Sequence, residues 1–240
     1  MESVIEIAHL KKSFGSNEVL KDINLKIEKG ENLVVFGKSG SGKSVLIKCL
    51  VGLIDPNGGE ITVLGKNLNE VKGKALNELR KKIGFLFQSG ALYDSMTVRE
   101  NLEFPLRDLS KPKEETDALV LEALQNVGLE EAIDKMPSEL SGGMRKRIGL
   151  ARTLILKPEI ILYDEPTTGL DPITSKEISE LILAVQKKYN TASIIITHDV
   201  ECARLTANRM MILKNGTAAA EGTFTELSQS NDNEIRAYFQ

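Results

Sequence analysis

The chain has 240 residues, of which 41% are hydrophobic and 27% charged, and its net charge is -3. This length allows one large or two small domains with a substantial core, and the composition is that of an ordinary globular protein. The charge balance gives no support for nucleic-acid binding, so we expect no nucleic-acid partner. No apolar run approaches the roughly 20 residues that span a bilayer, and the N-terminus lacks a secretory pattern. Any membrane role is therefore expected to depend on a partner protein.

The two cysteines, Cys49 and Cys202, lie in apolar surroundings without metal-ligand spacing. We interpret them as a reduced, buried pair rather than a disulfide, which is typical of a reducing compartment.

Apolar alternation and short apolar runs predict strands along most of the chain. The predicted strands are Val4–Leu10, Ile23–Ile27, Leu33–Phe36, Ile61–Leu64, Ile83–Phe87, Ile160–Tyr163, Ser193–Thr197 and Met210–Leu213. A helix is predicted at Ser175–Lys187, and Lys214–Thr217 is typical of a hairpin turn. Strands that alternate with helices predict an α/β core with a mostly parallel sheet, and the N-terminal strands indicate a small antiparallel β-subdomain.

The middle of the chain has a different pattern. Residues 89–157 contain no convincing strand, whereas Thr97–Phe104, Glu114–Val127 and Met144–Leu156 are predicted to be helical, with prolines between them. We therefore expect a single domain, residues 1–240, in which a helical subdomain at 89–157 is inserted between two parts of the α/β core, 1–88 and 158–240.

The first candidate site is Gly37–Ser44, which has the P-loop pattern of two glycines followed by Lys and Ser. Its glycines let backbone amides wrap phosphates, Lys43 adds a charge at the β and γ oxygens, and the Ser44 hydroxyl can ligate Mg²⁺. A predicted strand precedes the loop and the apolar segment Val45–Leu50 follows it, which is the context that the motif requires. The predicted nucleotide contacts are Gly37, Ser39, Gly40, Ser41, Gly42, Lys43 and Ser44.

The second candidate site is the acidic pair Asp164-Glu165, which follows the buried strand Ile160–Tyr163. Open α/β sheets bind ligands at the carboxyl ends of their strands. Asp164 is predicted to hold Mg²⁺, and Glu165 to accept a proton from the attacking water or to orient it. A solvated acidic pair at a strand end is the alternative, and the P-loop upstream favours the functional interpretation.

The third candidate site is the turn Leu140–Met144, which we call the signature turn. Ser141 and the amides of Gly142 and Gly143 can bind an anion at the start of the next helix. A serine that only caps this helix is the alternative. Two anion-binding turns and one apparent nucleotide site suggest that the two turns serve different copies of the protein.

These three motifs resemble those of the ATP-binding cassette (ABC) proteins, and the resemblance covers essentially the whole chain. It implies ATP and Mg²⁺ as cofactors and a homodimer with two shared ATP sites. In the family, Phe14 would stack on adenine, Gln88 would reach Mg²⁺ or the attacking water, Asp171 would lie in the loop that crosses to the other subunit, and His198 would contact the γ-phosphate. The resemblance thus implies catalytic roles for Glu165, His198, Gln88 and Lys43, and metal binding by Ser44, Gln88 and Asp164. Lys38 departs from the family's usual small residue or proline, and its role stays open.

The segment Phe87–Val98, together with Met144 in place of the commoner glutamine, is similar to the Mla-type ATPases. That resemblance implies phospholipid transport linked to outer-membrane lipid asymmetry, a permease dimer, a membrane-anchored lipid-binding protein, a small regulatory subunit, and a peripheral position on the cytoplasmic face of the bacterial inner membrane. Leu92 and Tyr93 are the candidates for permease contact, with packing inside the helical subdomain as the alternative. An importer of nutrients, and a permease-free ATPase of the iron–sulfur-cluster assembly type, remain competing functions.

Overall fold

The computed structural model describes residues 2–240 and contains ten strands within that range. The strands are β1 (Ser3–Phe14), β2 (Asn17–Glu28), β3 (Asn32–Phe36), β4 (Gly58–Val63), β5 (Lys66–Asn67), β6 (Ile83–Leu86), β7 (Ile160–Asp164), β8 (Ala192–Thr197), β9 (Arg209–Lys214) and β10 (Thr217–Gly222). They form two sheets. The first is antiparallel with the order β2-β1-β4-β5, and the second has the order β10-β9-β3-β8-β7-β6. The second sheet is parallel except for the hairpin of β9 and β10.

Nine α-helices surround these sheets within the described range. They are α1 (Lys43–Leu50), α2 (Lys74–Lys81), α3 (Val98–Glu103), α4 (Lys113–Gln125), α5 (Gly142–Leu154), α6 (Pro172–Tyr189), α7 (Val200–Thr206), α8 (Phe224–Ser228) and α9 (Asn233–Arg236). Residues 87–159, all of which the structure describes, contain helices and turns but no strand.

The parallel strands are buried on both faces, because alternate residues of each strand point to opposite sides of the sheet. On β3, Leu33 and Val35 pack against the antiparallel sheet and α1, whereas Val34 and Phe36 pack beneath α6 and α7. A third apolar cluster, which includes Val98, fills the space between α3, α4 and α5. The parallel sheet is therefore held between two apolar layers, and the phosphate-binding loop leaves its carboxyl edge.

The predicted strands and hairpin are confirmed, although β1 ends four residues later than predicted and β2 begins six residues earlier. The strand predicted to reach Phe87 ends at Leu86, and the Phe87 ring stacks on Phe85 at 4.2 Å instead of pairing with β7. The helix predicted from Ser175 begins three residues earlier, because Asp171 caps it and Pro172 takes its first position. The strand β5 and the helices α2, α7, α8 and α9 were not predicted.

The C-terminal residues pack against the strand that leads into the phosphate-binding loop. The ring of Phe36 lies parallel to that of Phe239 at 5.8 Å, and Tyr238 meets Phe36 edge-on at 6.3 Å. Phe224 contacts Phe239 in the same way at 5.3 Å. Aromatic pairs at these distances and angles are stabilising.

Both cysteines are free and only 1% exposed, as the sequence predicts. Burial raises the pKa of the Cys49 and Cys202 thiols to about 11 each.

Candidate nucleotide-binding and catalytic site

A cleft of about 330 Å³ lies at the carboxyl edge of the parallel sheet. It brings together residues from the loop after β3, the loop after β6, the end of β7 and the loop after β8. Its lining residues are Val19, Ser39, Gly40, Gly42, Lys43, Ser44, Val45, Gln88, Asp164, Glu165 and His198. Four predicted catalytic residues, far apart in the sequence, therefore share one cleft. A wider cleft of about 600 Å³ shares Val19, Ser39 and Gly40 with it and also includes Lys38 and Ser41.

The phosphate-binding loop wraps around the amine of Lys43. Lys43 is only 6% exposed, and its Nζ donates to the carbonyl oxygens of Gly37 at 2.7 Å and Lys38 at 3.2 Å. Burial lowers the pKa of Lys43, whereas the Glu165 and Asp164 carboxylates oppose that shift. The loop thus keeps a cation on its inner side, where phosphate oxygens would be stabilised.

The glycines of this loop permit close backbone approach. A Cβ on Gly37 would lie 2.5 Å from the carbonyl oxygen of Leu213, and Gly42 has a φ of 106° with Val19 against it. The Ser41 Oγ is buried and has no hydrogen-bond partner within residues 2–240. A buried hydroxyl without a partner, on a loop of this shape, fits a phosphate oxygen.

Hard oxygen donors suited to a magnesium ion lie next to the loop. The Ser44 Oγ is 3.3 Å from Oδ1 of Asp164, and Gln88 lines the same cleft. Burial raises the pKa of Asp164, while the hydrogen bond from Ser44 lowers it. Hydroxyl, carboxylate and amide oxygens are the ligands that Mg²⁺ prefers, so the residues present fit this ion.

Glu165 is held in one orientation by its neighbours. Its Oε2 accepts a hydrogen bond from His198 Nδ1 at 2.8 Å and one from Thr168 Oγ1 at 3.1 Å. Its Oε1 lies 3.7 Å from Lys43 Nζ, so this oxygen faces the phosphate-binding loop. The arrangement leaves Oε1 available to accept a hydrogen from water in the cleft. Because Nδ1 of His198 faces the carboxylate, its Nε2 is the ring nitrogen left for a ligand.

The signature turn lies outside this cleft. Ser141 caps α5, and its Oγ accepts a hydrogen bond from the amide of Met144 at 3.2 Å. The capping predicted as the alternative is therefore present, and it leaves the start of a 13-residue helix at the protein surface. Of the residues 2–240, those that line the cleft do not include Ser141, Gly142, Gly143, Asp171 or Phe14. These five predicted contacts therefore lie outside the cleft of a single copy.

The signature turn and the start of α6 touch each other. A Cβ on Gly143 would lie 2.5 Å from Cγ2 of Thr174. Thr174 is itself fixed, because its Oγ1 donates to Oδ2 of Asp171 at 2.6 Å. Oδ1 of Asp171 accepts from the amides of Ile173 and Thr174. The hydrogen bond from the Thr174 hydroxyl, together with those from the amides, lowers the pKa of Asp171. Thr174 thus links the buried Gly143 of the signature turn to the exposed Asp171.

Phe14 ends β1 with 50% of its surface exposed, and Lys12 Nζ lies 5.0 Å from its ring centroid. An exposed aromatic face of this kind can stack on a base. Tyr93 is also exposed and contacts the ring of Phe104 at 4.7 Å, whereas Leu92 packs into the apolar cluster of α3, α4 and α5. Of the two candidates for permease contact, Tyr93 is the accessible one.

Sequence reasoning missed three residues around the cleft. Val19 lines the cleft, and its only distinguishing feature is its close contact with Gly42, which the sequence does not show. Thr168 orients Glu165 from a position three residues later, a spacing that gives a weak signal. Lys146 lies on α5, where a basic residue is ordinary, yet it is only 5% exposed and is hydrogen-bonded to the turn after Glu165.

The profile of the family described as ABC transporter matches residues 20–168. The chain belongs to the ABC transporter family. The chain is also similar to a solved structure, which is described as a dimeric post-hydrolysis state of the ATP-binding cassette MJ0796 bound to ADP and Pi. The TM-score is 0.84 and the sequence identity is 32%, and the match covers 92% of this chain and 98% of that one. The family resemblance and the α/β fold predicted from the sequence are thereby confirmed.

Several relatives of this ABC protein have names that refer to transport. The protein described as probable ribonucleotide transport ATP-binding protein mkl of Mycobacterium leprae is 46% identical over 89% of this chain, which spans 62% of that relative's length. The intermembrane phospholipid transport system ATP-binding protein MlaF of Haemophilus influenzae is 38% identical over 96% of this chain and 88% of its own length. The methionine import protein MetN of Clostridium acetobutylicum is 37% identical, with coverages of 97% and 73%.

Within residues 2–240, no helix combines the length and the apolar character needed to cross a membrane.

Proposed function

We propose that this chain is the ATP-binding and ATP-hydrolysing subunit of an ABC transporter, and that it energises phospholipid transport. One observation carries the enzymatic part: Lys43, Ser44, Asp164, Glu165 and His198 converge on a single cleft. An amine for phosphate charge, oxygen donors for a metal and an oriented carboxylate for water are the parts that phosphoryl transfer requires.

The chain's own residues divide this chemistry. The amides of Gly37–Ser44 and the Lys43 amine bind the β- and γ-phosphates of ATP. Ser44, Asp164 and Gln88 would hold Mg²⁺, which neutralises charge on the phosphate oxygens when bound. Glu165 accepts the proton of the attacking water through Oε1, while His198 keeps that carboxylate oriented through Oε2.

We infer that two copies share each ATP. The cleft supplies one side of the phosphates, and the signature turn of a second copy, with Ser141, Gly142 and Gly143, supplies the other. The dimeric state described for the MJ0796 cassette supports this arrangement. Asp171 and Phe14 complete the nucleotide contacts from the adjoining surface and from β1. Closure on ATP and opening after hydrolysis then do work on a permease dimer.

A substitution at Ser141 tests the shared site. Ser141→Arg is expected to leave ATP binding to the monomer within twofold, because Ser141 lies outside the cleft. Turnover and ATP-dependent dimerisation are expected to be lost, because a bulky cation fills the phosphate-binding turn. Fluorescent ATP binding, phosphate release and size-exclusion chromatography measure the three quantities. Wild-type turnover in this variant would argue against a shared site.

The phospholipid assignment rests on the MlaF relative and on the Mla-like segment Phe87–Val98. The same resemblance supports a membrane-anchored lipid-binding protein and a small regulatory subunit as further partners, at the cytoplasmic face of an inner membrane. The exposed Tyr93 and Phe104 rings, in the segment that follows Gln88, form a suitable apolar contact for a permease.

Import of a polar nutrient is the second candidate function, because the mkl relative, at 46% identity, is more similar to this chain than MlaF, at 38%, and MetN, at 37%, is about as similar as MlaF. Purification of the native complex, followed by reconstitution in vesicles, separates the two. We expect ATP-dependent transfer of a fluorescent phospholipid, abolished by Glu165→Gln. Uptake of radiolabelled methionine or ribonucleotide, without lipid transfer, would overturn the phospholipid assignment.

A further inference from the structure

A buried lysine on α5 joins the signature turn to the segment that follows the catalytic carboxylate. Lys146 is 5% exposed, and its Nζ donates to the carbonyl oxygens of Thr168 at 2.7 Å, Pro166 at 2.8 Å and Glu165 at 3.3 Å. An ammonium group has three hydrogens, so these contacts use its whole donor capacity. We call the segment Glu165–Thr168 the carboxylate turn.

The carboxylate turn has an unusual backbone. Glu165 has a φ of 51°, a left-handed conformation that residues with a Cβ adopt rarely. Such a conformation persists only where neighbouring groups hold it. The Glu165 amide donates to the Ile196 carbonyl oxygen at 2.9 Å, and Lys146 holds the other side of the same residue through its carbonyl oxygen.

We propose that Lys146 is a positioning residue for ATP hydrolysis: it fixes the carboxylate turn, and so the direction of the Glu165 carboxylate, from the helix that begins at the signature turn. The inference rests on the proposed ATPase activity. Thr168 links Lys146 to the Glu165 carboxylate. The carbonyl oxygen of Thr168 accepts a hydrogen bond from Lys146, and the Thr168 Oγ1 donates one to Glu165 Oε2.

The position of Lys146 also connects two ATP sites. In the proposed homodimer, the signature turn of one copy contacts the ATP held by its partner, whereas Glu165 of that copy acts on its own ATP. Lys146 lies in the second turn of α5, five residues after Ser141, and a short helix moves as a unit. A shift of the signature turn at one site is therefore transmitted through Lys146 to the carboxylate at the other.

Burial is consistent with this role. It lowers the pKa of Lys146 to about 8, and the nearby Glu165 carboxylate opposes the shift. The surroundings of Lys146 are thus unfavourable for a cation, apart from the three carbonyl oxygens and that carboxylate. A side chain needed only for packing would be expected to be apolar at this position.

Replacement by Met tests the inference, since Met has a similar length and no hydrogen-bond donor. Lys146→Met is expected to lower kcat about 30- to 100-fold, because a displaced general base is a poor catalyst. The Kd for ATP should stay within twofold, since Lys146 does not line the cleft. The ATP-bound dimer should accumulate, as expected for Glu165→Gln. Lys146→Gln, which keeps an amide donor, should recover part of the lost kcat, and Lys176→Met serves as the matched control on an exposed helix face.

The outcomes separate the inference from the function on which it rests. Absence of ATP turnover in the wild-type protein would sink the proposed function. If the wild type is active and Lys146→Met is equally active, the positioning role is overturned. The role is also overturned if Lys146→Met binds ATP but no longer dimerises, because the defect would then lie in the signature turn. If Lys146→Met fails to bind ATP, kcat and ATP-dependent dimerisation are measured on Lys146→Gln instead, and the same two results would overturn the positioning role.

Discussion

The contact between Gly143 and Thr174 gives a prediction whose size follows from the structure. An alanine at position 143 would bring its Cβ to 2.5 Å from Cγ2 of Thr174, where ordinary contact begins at 3.4 Å. Thr174 cannot easily turn away, because Asp171 accepts hydrogen bonds from both its hydroxyl and its amide. The helix and its neighbour must therefore separate by roughly 1 Å, or the Asp171 cap must break.

Overpacking of this kind costs about 1–3 kcal/mol, and the better helix propensity of alanine returns about 0.5–1 kcal/mol. We expect Gly143→Ala to lower the free energy of unfolding by about 1–2 kcal/mol, which corresponds to a fall in Tm of about 2–8 °C for a chain of this size. Thr174→Ser removes Cγ2 but keeps the hydroxyl that Asp171 binds. In the Gly143→Ala background, Thr174→Ser should restore most of the lost stability, although alone it should be neutral or slightly destabilising.

Urea unfolding of the wild type, the two single variants and the double variant measures the coupling free energy between these positions. We expect a coupling of about 1–2 kcal/mol. Additive effects, with no rescue by Thr174→Ser, would refute the argument that Gly143 is required by this contact.

Three other predictions concern the carboxylate, the buried lysine and the C-terminal residues. Glu165→Gln should lower kcat about 10²- to 10⁴-fold, while ATP binding persists and the ATP-bound dimer accumulates. Phosphate release measures the turnover and size-exclusion chromatography measures the dimer. Undiminished hydrolysis would contradict the general-base role. Between about pH 8 and pH 10, the free energy of unfolding of the wild type should rise relative to that of Lys146→Met by about 1.4 kcal/mol per pH unit. The reason is that Lys146, whose pKa is lowered to about 8, is neutral in the folded protein in this range, whereas the same lysine in the unfolded chain still binds its proton. Urea unfolding across that range measures this gain, and a constant difference would refute it. Phe239→Ala should lower the free energy of unfolding by about 1–3 kcal/mol, since its ring stacks on Phe36, and an unchanged Tm in calorimetry would argue against that packing.

Local sequence signals predicted which residues of the candidate site meet at one edge of the sheet. The apolar run before Gly37 and the one before Asp164 each form a short strand that ends at a turn, so their functional residues lie at the carboxyl edge of one sheet. The order of the strands in the sheet decides which strand ends are neighbours. The alternation of strands and helices along the sequence was enough to predict that the sheet is parallel. His198 and Gln88 reach the same cleft by the same rule, as the residues that follow β8 and β6.

The missed features depend on packing between distant segments. The helix α2 has only eight residues, is polar overall and buries only Leu79, so no apolar run marks it in the sequence. The burial of Lys146 and the positive φ of Glu165 arise from the fit of α5 against the carboxylate turn, which no local pattern encodes. Phe87 lies outside the strand predicted for it, and its ring stacks on Phe85, a contact that the sequence does not indicate.

The burial of both thiols has a practical consequence for observing the proposed closure. With a pKa of about 11 each and 1% exposure, Cys49 and Cys202 should react very slowly with maleimides at neutral pH. A third cysteine, introduced in place of Ile173, which is 73% exposed, would then carry a fluorophore without removal of the native pair. Energy transfer between two such labels could follow, turnover by turnover, the approach and separation of the two copies.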